Sequence, residues 1–422
     1  MRVVITGIGS ITPVGKTPKE VFSAVVNKQS GIREITTFPL DKQHLCRVAG
    51  EVDFDPGWLS RLLLGRLLRK DLKKIARASQ FAMFAINHAI TDAKLKYDRL
   101  DPHNAQRVGI CMGASLIGMV DIIEEVGQYN KNGARWISPA LIQKIMPNAA
   151  AARPSLHQEI HGPVYTTSAA CATSAISMID AYKMLADGEC DGMITGGCED
   201  AIDPISHASF GNLTALSTSW NDQPEKALRP CDLNRAGFVP GEGAVAFVFE
   251  ELSHALARKA RIYVEVAGYA RNSDAHNIVH PHPEGTWQAL CMSTALERAK
   301  IKPSELSYIN AHGTGTPQGD PSECRAIISC MGTEAEKVPV SSTKGVTSHL
   351  MSSAAAVELL ICVMAITQNV IPPTTNLEIV HPECTGISHV HEPINTKVES
   401  ALNNSFGFGG ENTCIVLKKF AA

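Results

Sequence analysis

No CxxC pair occurs among the twelve cysteines of this 422-residue chain, which excludes a zinc ribbon and, at this length, a disulfide-dense secreted scaffold. Reduced thiols in a cytoplasmic setting are the expectation. Charge of neither sign prevails: 39 Lys and Arg against 42 Asp and Glu leave a net charge of −3. A whole-chain electrostatic grip on nucleic acid is thereby excluded, and any basic contact surface must be local. Long apolar runs are also missing. The longest, 354–366, is interrupted by Glu358 and too short to span a bilayer, so it reads as a buried helix and no membrane contact is expected. The opening MRVVITGIGSITPVGKT turns glycine-rich after six residues, unlike the h-region of a signal peptide, and the mature chain is expected to start here. No linker rich in Pro, Gly or Ser divides the chain, so its parts should pack tightly.

What is present is an ordinary globular balance, 44% hydrophobic and 19% charged, with length for roughly two to three domains' worth of core. Short β-branched runs alternate with helical patterns, which predicts an α/β architecture. Strands are expected at Arg2–Thr6, ending in a turn at Gly7–Gly9, and at 108–112, 192–195, 244–249, 262–270, 308–311 and 413–417. Thr17 and Pro18 predict a helix N-cap and first position. Further helices are expected at 168–185, 286–299, 322–330 and 352–368. The stretch at 261–271 resembles the first strand with its glycine, a hint of two related halves, 1–255 and 256–422, joined near Glu250–Arg258.

Chemistry concentrates in four places. Cys171 stands in TTSAACATSA, where a hydroxyl-rich approach meets a helical pattern starting at the cysteine; amides and dipole at a helix N-terminus favour a thiolate. A plain buried thiol is the alternative. His312 lies in YINAHGTGTP, a strand running into glycines and threonines, so that Thr314 and Thr316 could offer hydroxyls to one ligand; a satisfied core histidine is the alternative. Lys344 and His349 share SSTKGVTSHL, and Glu323 is a plausible acid for a buried lysine, which needs one to stay charged. NNSFGFGGENT places three glycines around Phe406 and Phe408, a turn whose amides could bind an oxyanion. The group His276, His280 and His282 lacks a completing carboxylate or cysteine, and no metal site is expected.

Taken in order, TTSAACATSA, YINAHGTGTP, SSTKGVTSHL and NSFGFGGENT resemble the β-ketoacyl-[acyl-carrier-protein] synthases, with agreement along nearly the whole chain. The resemblance implies the thiolase fold, two similar halves in five α-β-α-β-α layers, as a homodimer or as a heterodimer with a chain-length-factor-like subunit. It implies that Cys171 takes the acyl chain, that His312 and His349 stabilise the enolate left by malonyl decarboxylation, and that Lys344 pairs with Glu323. Amides of Cys171 and Phe408 would form the oxyanion hole with Phe408 as gate, and Thr314 and Thr316 would hold the phosphopantetheine arm of an acyl carrier protein. No metal or organic cofactor is implied.

The chain departs from the family's usual pattern at TSHLMSSAAA, where glycines are common, and at GFGGEN. Serines beside His349 are expected to alter the cavity, favouring a specialised polyketide or polyene pathway over general fatty acid elongation. The rivals are a non-catalytic chain-length partner subunit and a thiolase-type acyltransferase. For carrier docking, Arg69, Lys70, Lys73 and Lys74 match the family's basic cluster, and helical spacing would join them to Arg66 and Arg77 in one stripe.

Overall fold

The computed structural model describes residues 1–62, 69–97 and 101–421, and only the backbone of Ser60, Arg69 and Lys70. Eleven strands join in one sheet: β1 (Val3–Ile11), β2 (Val108–Gly113), β3 (Val164–Thr167), β4 (Gly192–Glu199), β5 (Gly243–Glu251), β6 (Val264–Ser273), β7 (Tyr308–Asn310), β8 (Pro339–Ser341), β9 (Ser388–His389), β10 (Ser400–Gly407) and β11 (Glu411–Lys419). Their lateral order is β9-β8-β7-β10-β11-β6-β1-β5-β4-β2-β3. Within 3–251 the order β3-β2-β4-β5-β1 places third, second, fourth, fifth and first strand side by side. Within 264–419 the order β8-β7-β10-β11-β6 is the same, with β9 added at the edge. The directions repeat as well: β2 is parallel to β3 and β4, and β7 to β8 and β10, while the remaining pairs within each set of five are antiparallel; the added β9 is parallel to β8. The halves meet where Val3–Ile5 of β1 pair antiparallel with 264–266 of β6.

Seven helices position the site: α1 (Pro18–Val26), α2 (Arg77–Ala93), α3 (Met119–Asn132), α4 (Thr173–Ala186), α5 (Thr286–Ala299), α6 (Gly319–Met331) and α7 (Ala354–Gln368). Thr17 caps α1 in a capping box with Glu20, and Pro18 sits in its first turn, as the sequence predicts. Side-chain alternation on β5 shows how the layers arise. Val245, Phe247 and Phe249 face a central core shared with Met178 and Ile179 of α4 and Leu360 and Ile361 of α7. Ala244, Ala246 and Val248 face an outer core with Phe81, Ala85 and Ala89 of α2. A third core joins Met292 and Leu296 of α5 and Ile327 of α6 to Leu402 and Val416 on β10 and β11. Three cores separate five layers, α-β-α-β-α. The run interrupted by Glu358 is α7, buried between the sheets; with the turn before it, Met351–Gln368 is the one helix among the described residues long and apolar enough to cross a membrane.

Two expectations are corrected. The glycines at 7 and 9 do not end the first strand, which continues to Ile11; they let α2 approach it. A β-carbon at Gly7 would stand 2.3 Å from the Ala89 carbonyl oxygen, and one at Gly9 2.0 Å from that of Ala85. Gly268, at the same offset in β6 as Gly7 in β1, meets α5 likewise, 2.5 Å from the Ala295 carbonyl oxygen. The continuous basic stripe is also absent. A short helix, Arg69–Leu72, stops before a turn at 73–76, and Arg77 opens α2 by turning inward onto Glu242 at 2.6 and 2.7 Å. Arg66 and the side chains of Arg69 and Lys70 lie outside the described residues; Lys73 and Lys74 are exposed.

Gly9→Ala should therefore lower the thermal midpoint, the overpacking costing roughly 1–3 kcal/mol. Gly127→Ala, in α3 with nothing within 4 Å of the added carbon, should raise it, the gain in stability being up to about 1 kcal/mol. Parallel melts of the two variants check the difference in sign.

Candidate active site

Cys171 sits in a sharp turn between β3 and α4. The α-helix begins at Thr173 rather than at the cysteine, preceded by one turn of 3₁₀ helix, Ala170–Ala172. Ala170 holds a φ of 46°, rarely adopted by a residue with a β-carbon. The Thr173 hydroxyl ties the turn down, accepting from the Ala169 amide at 2.7 Å and donating to the Ala170 carbonyl at 2.6 Å. Gly407, ending β10, packs against the same turn: a β-carbon there would lie 3.2 Å from the Cys171 amide nitrogen. The stretch 403–407 is thus strand, not turn, and its last glycine is needed for close approach. Immediately beyond it, the Phe408 amide hydrogen-bonds the Cys171 thiol.

The opposite half supplies the bases. His349 Nε2 is 3.0 Å from Cys171 Sγ, and the His349 backbone is fixed by bonds to the Val239 carbonyl and from the Gly241 amide. The rings of His312 and His349 stand 5.5 Å apart at 83°. Lys344, fully buried, pairs with Glu358 and donates to the His312 carbonyl at 2.5 Å; its Nζ is 3.4 Å from His312 Nδ1. The expected partner Glu323 is engaged otherwise, accepting from the His312 and Gly313 amides at 2.8 and 2.7 Å and from Asn404 Nδ2 at 3.1 Å. The two acids thus serve different groups. Glu323, at the start of α6, faces the backbone that carries His312, and Glu358 faces the ammonium from α7. The lone acid that interrupts an apolar run was itself the sequence signal for a buried cation.

Burial governs the electrostatics. It holds His312 and His349 well below the usual imidazole pKa, reinforced by the Lys344 charge, so both rings are neutral. Because an ammonium can only donate, Lys344 leaves the lone pair on His312 Nδ1 and the proton on Nε2. The Cys171 thiol is open to the cavity yet enclosed by protein, and desolvation pushes its pKa up to about 12 against the pull of Lys344 and the Phe408 amide. The lowering expected from the helix terminus does not prevail in this resting form. Burial also raises Glu199 and Asp320 to about 7. Cys171, His312 and His349 bring donor atoms within 4.8 Å of one another, but the adjoining Lys344 charge opposes a cation there.

These groups line a cavity of about 490 Å³ that also takes in Phe210, Phe238, Met351, Phe406 and Phe408 on its apolar walls and Thr314, Thr316 and His280 among its polar ones. Thr314 and Thr316 hydroxyls are 3.1 Å apart, and Phe238 meets the His349 ring edge-on at 5.2 Å. Of the histidine-rich stretch, His276 and His282 meet edge-on, their ring centres 5.3 Å apart. The serines beside His349 do not line the cavity. Ser352 donates to Glu199, which does line it, and Ser353 to the Gly197 carbonyl. Ser348 adopts φ 63° and ψ −177°, a region otherwise left to glycine. Its hydroxyl occupies space that only glycines leave open, since a β-carbon at Gly50 or Gly241 would stand 2.1 or 2.0 Å from Oγ. Sequence reasoning missed Glu358, Glu199 and Asp320, each an acid inside an otherwise apolar or glycine-rich stretch.

The sequence and fold have clear relatives. Residues 1–255 match the model of the β-ketoacyl synthase N-terminal domain, and 263–378 that of the C-terminal domain. The chain is 39% identical over 421 residues to a 3-oxoacyl-[acyl-carrier-protein] synthase 2 of Synechocystis sp., covering 99% of this chain and 98% of the relative, and 39% identical over 419 residues, with the same coverage, to one from Coxiella burnetii. A β-ketoacyl synthase from Burkholderia phymatum superposes with a TM-score of 0.90 at 31% identity, covering all of both chains. A complex of a type II PKS acyl-carrier protein with its ketosynthase bound to the hexaketide contains a chain that superposes with a TM-score of 0.90 at 27% identity, covering all of this chain and 99% of that one. With an internally repeated fold, a thiol in an elbow, two neutral histidines and relatives matched from end to end, the chain belongs to the β-ketoacyl synthase family of acyltransferases, with the thiolase fold.

Proposed function

We propose that this protein joins an acyl group held on Cys171 to a malonyl group on an acyl carrier protein by decarboxylative Claisen condensation, in fatty acid or type II polyketide elongation. The observation that carries the reading is the 3.0 Å contact of Cys171 Sγ with His349 Nε2 beside His312, on an apolar cavity. Residues 1–255 supply the thiol and 256–422 the histidines, the lysine and the glycine-phenylalanine loop.

Acylation replaces the carrier's thioester with one to Cys171. The neutral thiol must lose its proton as sulfur attacks; His349 Nε2 stands within reach to take it and to pass it to the departing carrier thiolate, which leaves as a thiol with the ring neutral again. Once Sγ is acylated, His312 and the Nε2–H tautomer of His349 are free to donate to the malonyl thioester oxygen. Cleavage of the carboxylate bond releases carbon dioxide and leaves its electron pair as an enolate, which neutral N–H donors stabilise without an ion having to be desolvated. Enolate carbon then attacks the acyl carbonyl, whose oxyanion faces the Cys171 and Phe408 amides. That attack forms the new carbon–carbon bond; collapse of the oxyanion re-forms the carbonyl, breaks the carbon–sulfur bond and returns the thiolate, which takes up one proton. Phe408, packed with Leu116, Phe210 and Met351, separates the acyl side of the cavity from the malonyl side. Thr314 and Thr316 hold the phosphopantetheine arm, and no further cofactor is needed.

A chain-length partner has no use for a thiol in this elbow. The thiolase reading asks for a second reactive cysteine, whereas Cys414 lies within β11, its Sγ 3.3 Å from Asn404 Oδ1. Twelve free thiols support a reducing, cytoplasmic setting. Carrier docking rests on the exposed Lys73 and Lys74 beyond the short helix bearing Arg69 and Lys70, and the enzyme works as a homodimer or with a chain-length-factor-like partner.

Cys171→Ala should abolish condensation, and incubation with loaded carrier should leave an acyl adduct on the wild-type chain alone by intact mass. Iodoacetamide should modify Cys171 ahead of the buried thiols, its rate rising about tenfold per pH unit through pH 7–9 as expected for an elevated pKa; a plateau near neutrality would show a thiolate already formed. His312→Ala should cut malonyl decarboxylation about 10²–10³-fold while sparing acylation. Decarboxylation by the wild type should show no inflection near the ordinary imidazole pKa of about 6.5, because both rings are already neutral above and below it. Lys73→Glu with Lys74→Glu should raise the apparent KM for carrier-bound substrate severalfold, in a salt-dependent manner, and leave a short pantetheine thioester unaffected. Equal losses with both substrates would remove the lysines from docking.

A further inference from the structure

Away from the catalytic cavity, three cysteines from three segments converge. Cys231 lies in the loop after the buried Arg229, Cys324 on α6 and Cys384 in the loop before β9, and all three are buried in one cluster. Cys231 and Cys324 sulfurs are 3.9 Å apart, and Cys384 is buried beside them in the same cluster. A ring nitrogen of His389 lies within 4.8 Å of the Cys231 and Cys324 sulfurs. Its Nε2–H is committed to the Cys384 carbonyl at 2.8 Å, so Nδ1 carries the lone pair. Between Cys231, Cys324 and His389 is a cavity of about 10 Å³, roughly one small sphere.

From this arrangement we propose that Cys231, Cys324 and His389 bind one zinc ion and that Cys384, the third sulfur of the cluster, closes onto it to complete a tetrahedral Cys₃His site. Sulfurs bound at about 2.3 Å to a tetrahedral zinc stand roughly 3.8 Å apart, the spacing already held by Cys231 and Cys324. The hydrogen bond from Nε2 to a backbone carbonyl is the kind of outer contact that orients a histidine ligand. The frame is also held in advance of binding. Cys231 is kept at φ 60°, its amide donates to Asp320 Oδ2 at 2.7 Å, and its carbonyl accepts from the His381 amide at 2.9 Å, while the Cys384 amide donates to the His381 carbonyl at 2.8 Å. Three thiolates and a neutral imidazole on Zn²⁺ leave one negative charge, and the Arg235 guanidinium faces the cluster. Binding releases the three thiol protons to solvent.

The site is structural, yet it adjoins the catalytic frame. Cys324 follows Glu323, which holds the His312 amide, and Asp320 ties Cys231 to the Gly315 amide between the two threonines. The full chain, expressed with added zinc and purified under reducing conditions without chelator, should carry about one zinc per chain by plasma mass spectrometry. Co²⁺ added to the metal-free chain should give the intense visible bands and sulfur charge-transfer absorption of a tetrahedral thiolate site. Cys324→Ser, and independently Cys384→Ser with His389→Gln should the first variant fail to fold, should weaken Co²⁺ binding at least about tenfold. Cys171→Ser, which disrupts the other cysteine-histidine grouping, should keep both the metal and the spectrum. Zinc-free wild-type protein with all twelve thiols titrating as free would overturn the proposal. So would a disulfide among these cysteines in place of metal, or loss of the Co²⁺ bands in Cys171→Ser.

Discussion

A single buried ammonium organises the catalytic half of this molecule. Lys344 is removed from water between the sheets, and a charge so placed is tolerated only where its three protons all find acceptors. Glu358, the His312 carbonyl and His312 Nδ1 are those acceptors. Removing any of them leaves a desolvated charge unbalanced, so the lysine dictates the position of α7, the course of the strand-end loop and the tautomer of the histidine together. Catalytic geometry and fold stability are here one set of contacts.

The same burial that fixes the lysine sets the character of the cavity. Histidines that stay neutral donate to a developing oxyanion at little reorganisation cost, but a thiol in the same surroundings does not ionise by itself. Its activation has to be coupled to proton movement toward His349, or to the arrival of a substrate that alters the field. An enclosed nucleophile is also guarded against adventitious electrophiles while the site is empty, since the thiolate is the reactive form.

Most of the chemistry could be read from the sequence because each reactive residue stands in an unusual local setting: a cysteine among alanines, a histidine before paired glycines and threonines, phenylalanines between glycines. The α/β class and the two halves were legible from alternation and from the shared offset of Gly7 and Gly268. Partnerships were not. Glu323 and Glu358 are both acids at helical positions within reach of the lysine's segment, and only the packing of α6 and α7 decides which meets the ammonium. The glycines of β1 and the end of β10 misled for a common reason: in isolation glycine signals a turn, whereas here it marks a strand approached by another backbone, a property of the tertiary arrangement. Likewise the basic stripe presumed an unbroken helix, which Arg77 ends by preferring a buried carboxylate.

Ser348 carries a consequence for how this sequence tolerates change. Its backbone conformation is costly for any residue but glycine, and its hydroxyl fits only because Gly50 and Gly241 both lack side chains. The three positions are therefore not independent: a methyl group at 50 or 241 meets the Ser348 hydroxyl before any other atom, so it costs more beside a serine at 348 than beside a glycine, and the penalties do not add. With serine at 348, the segment delivering His349 thus holds both glycines fixed, and relief at either one has to begin with Ser348 itself.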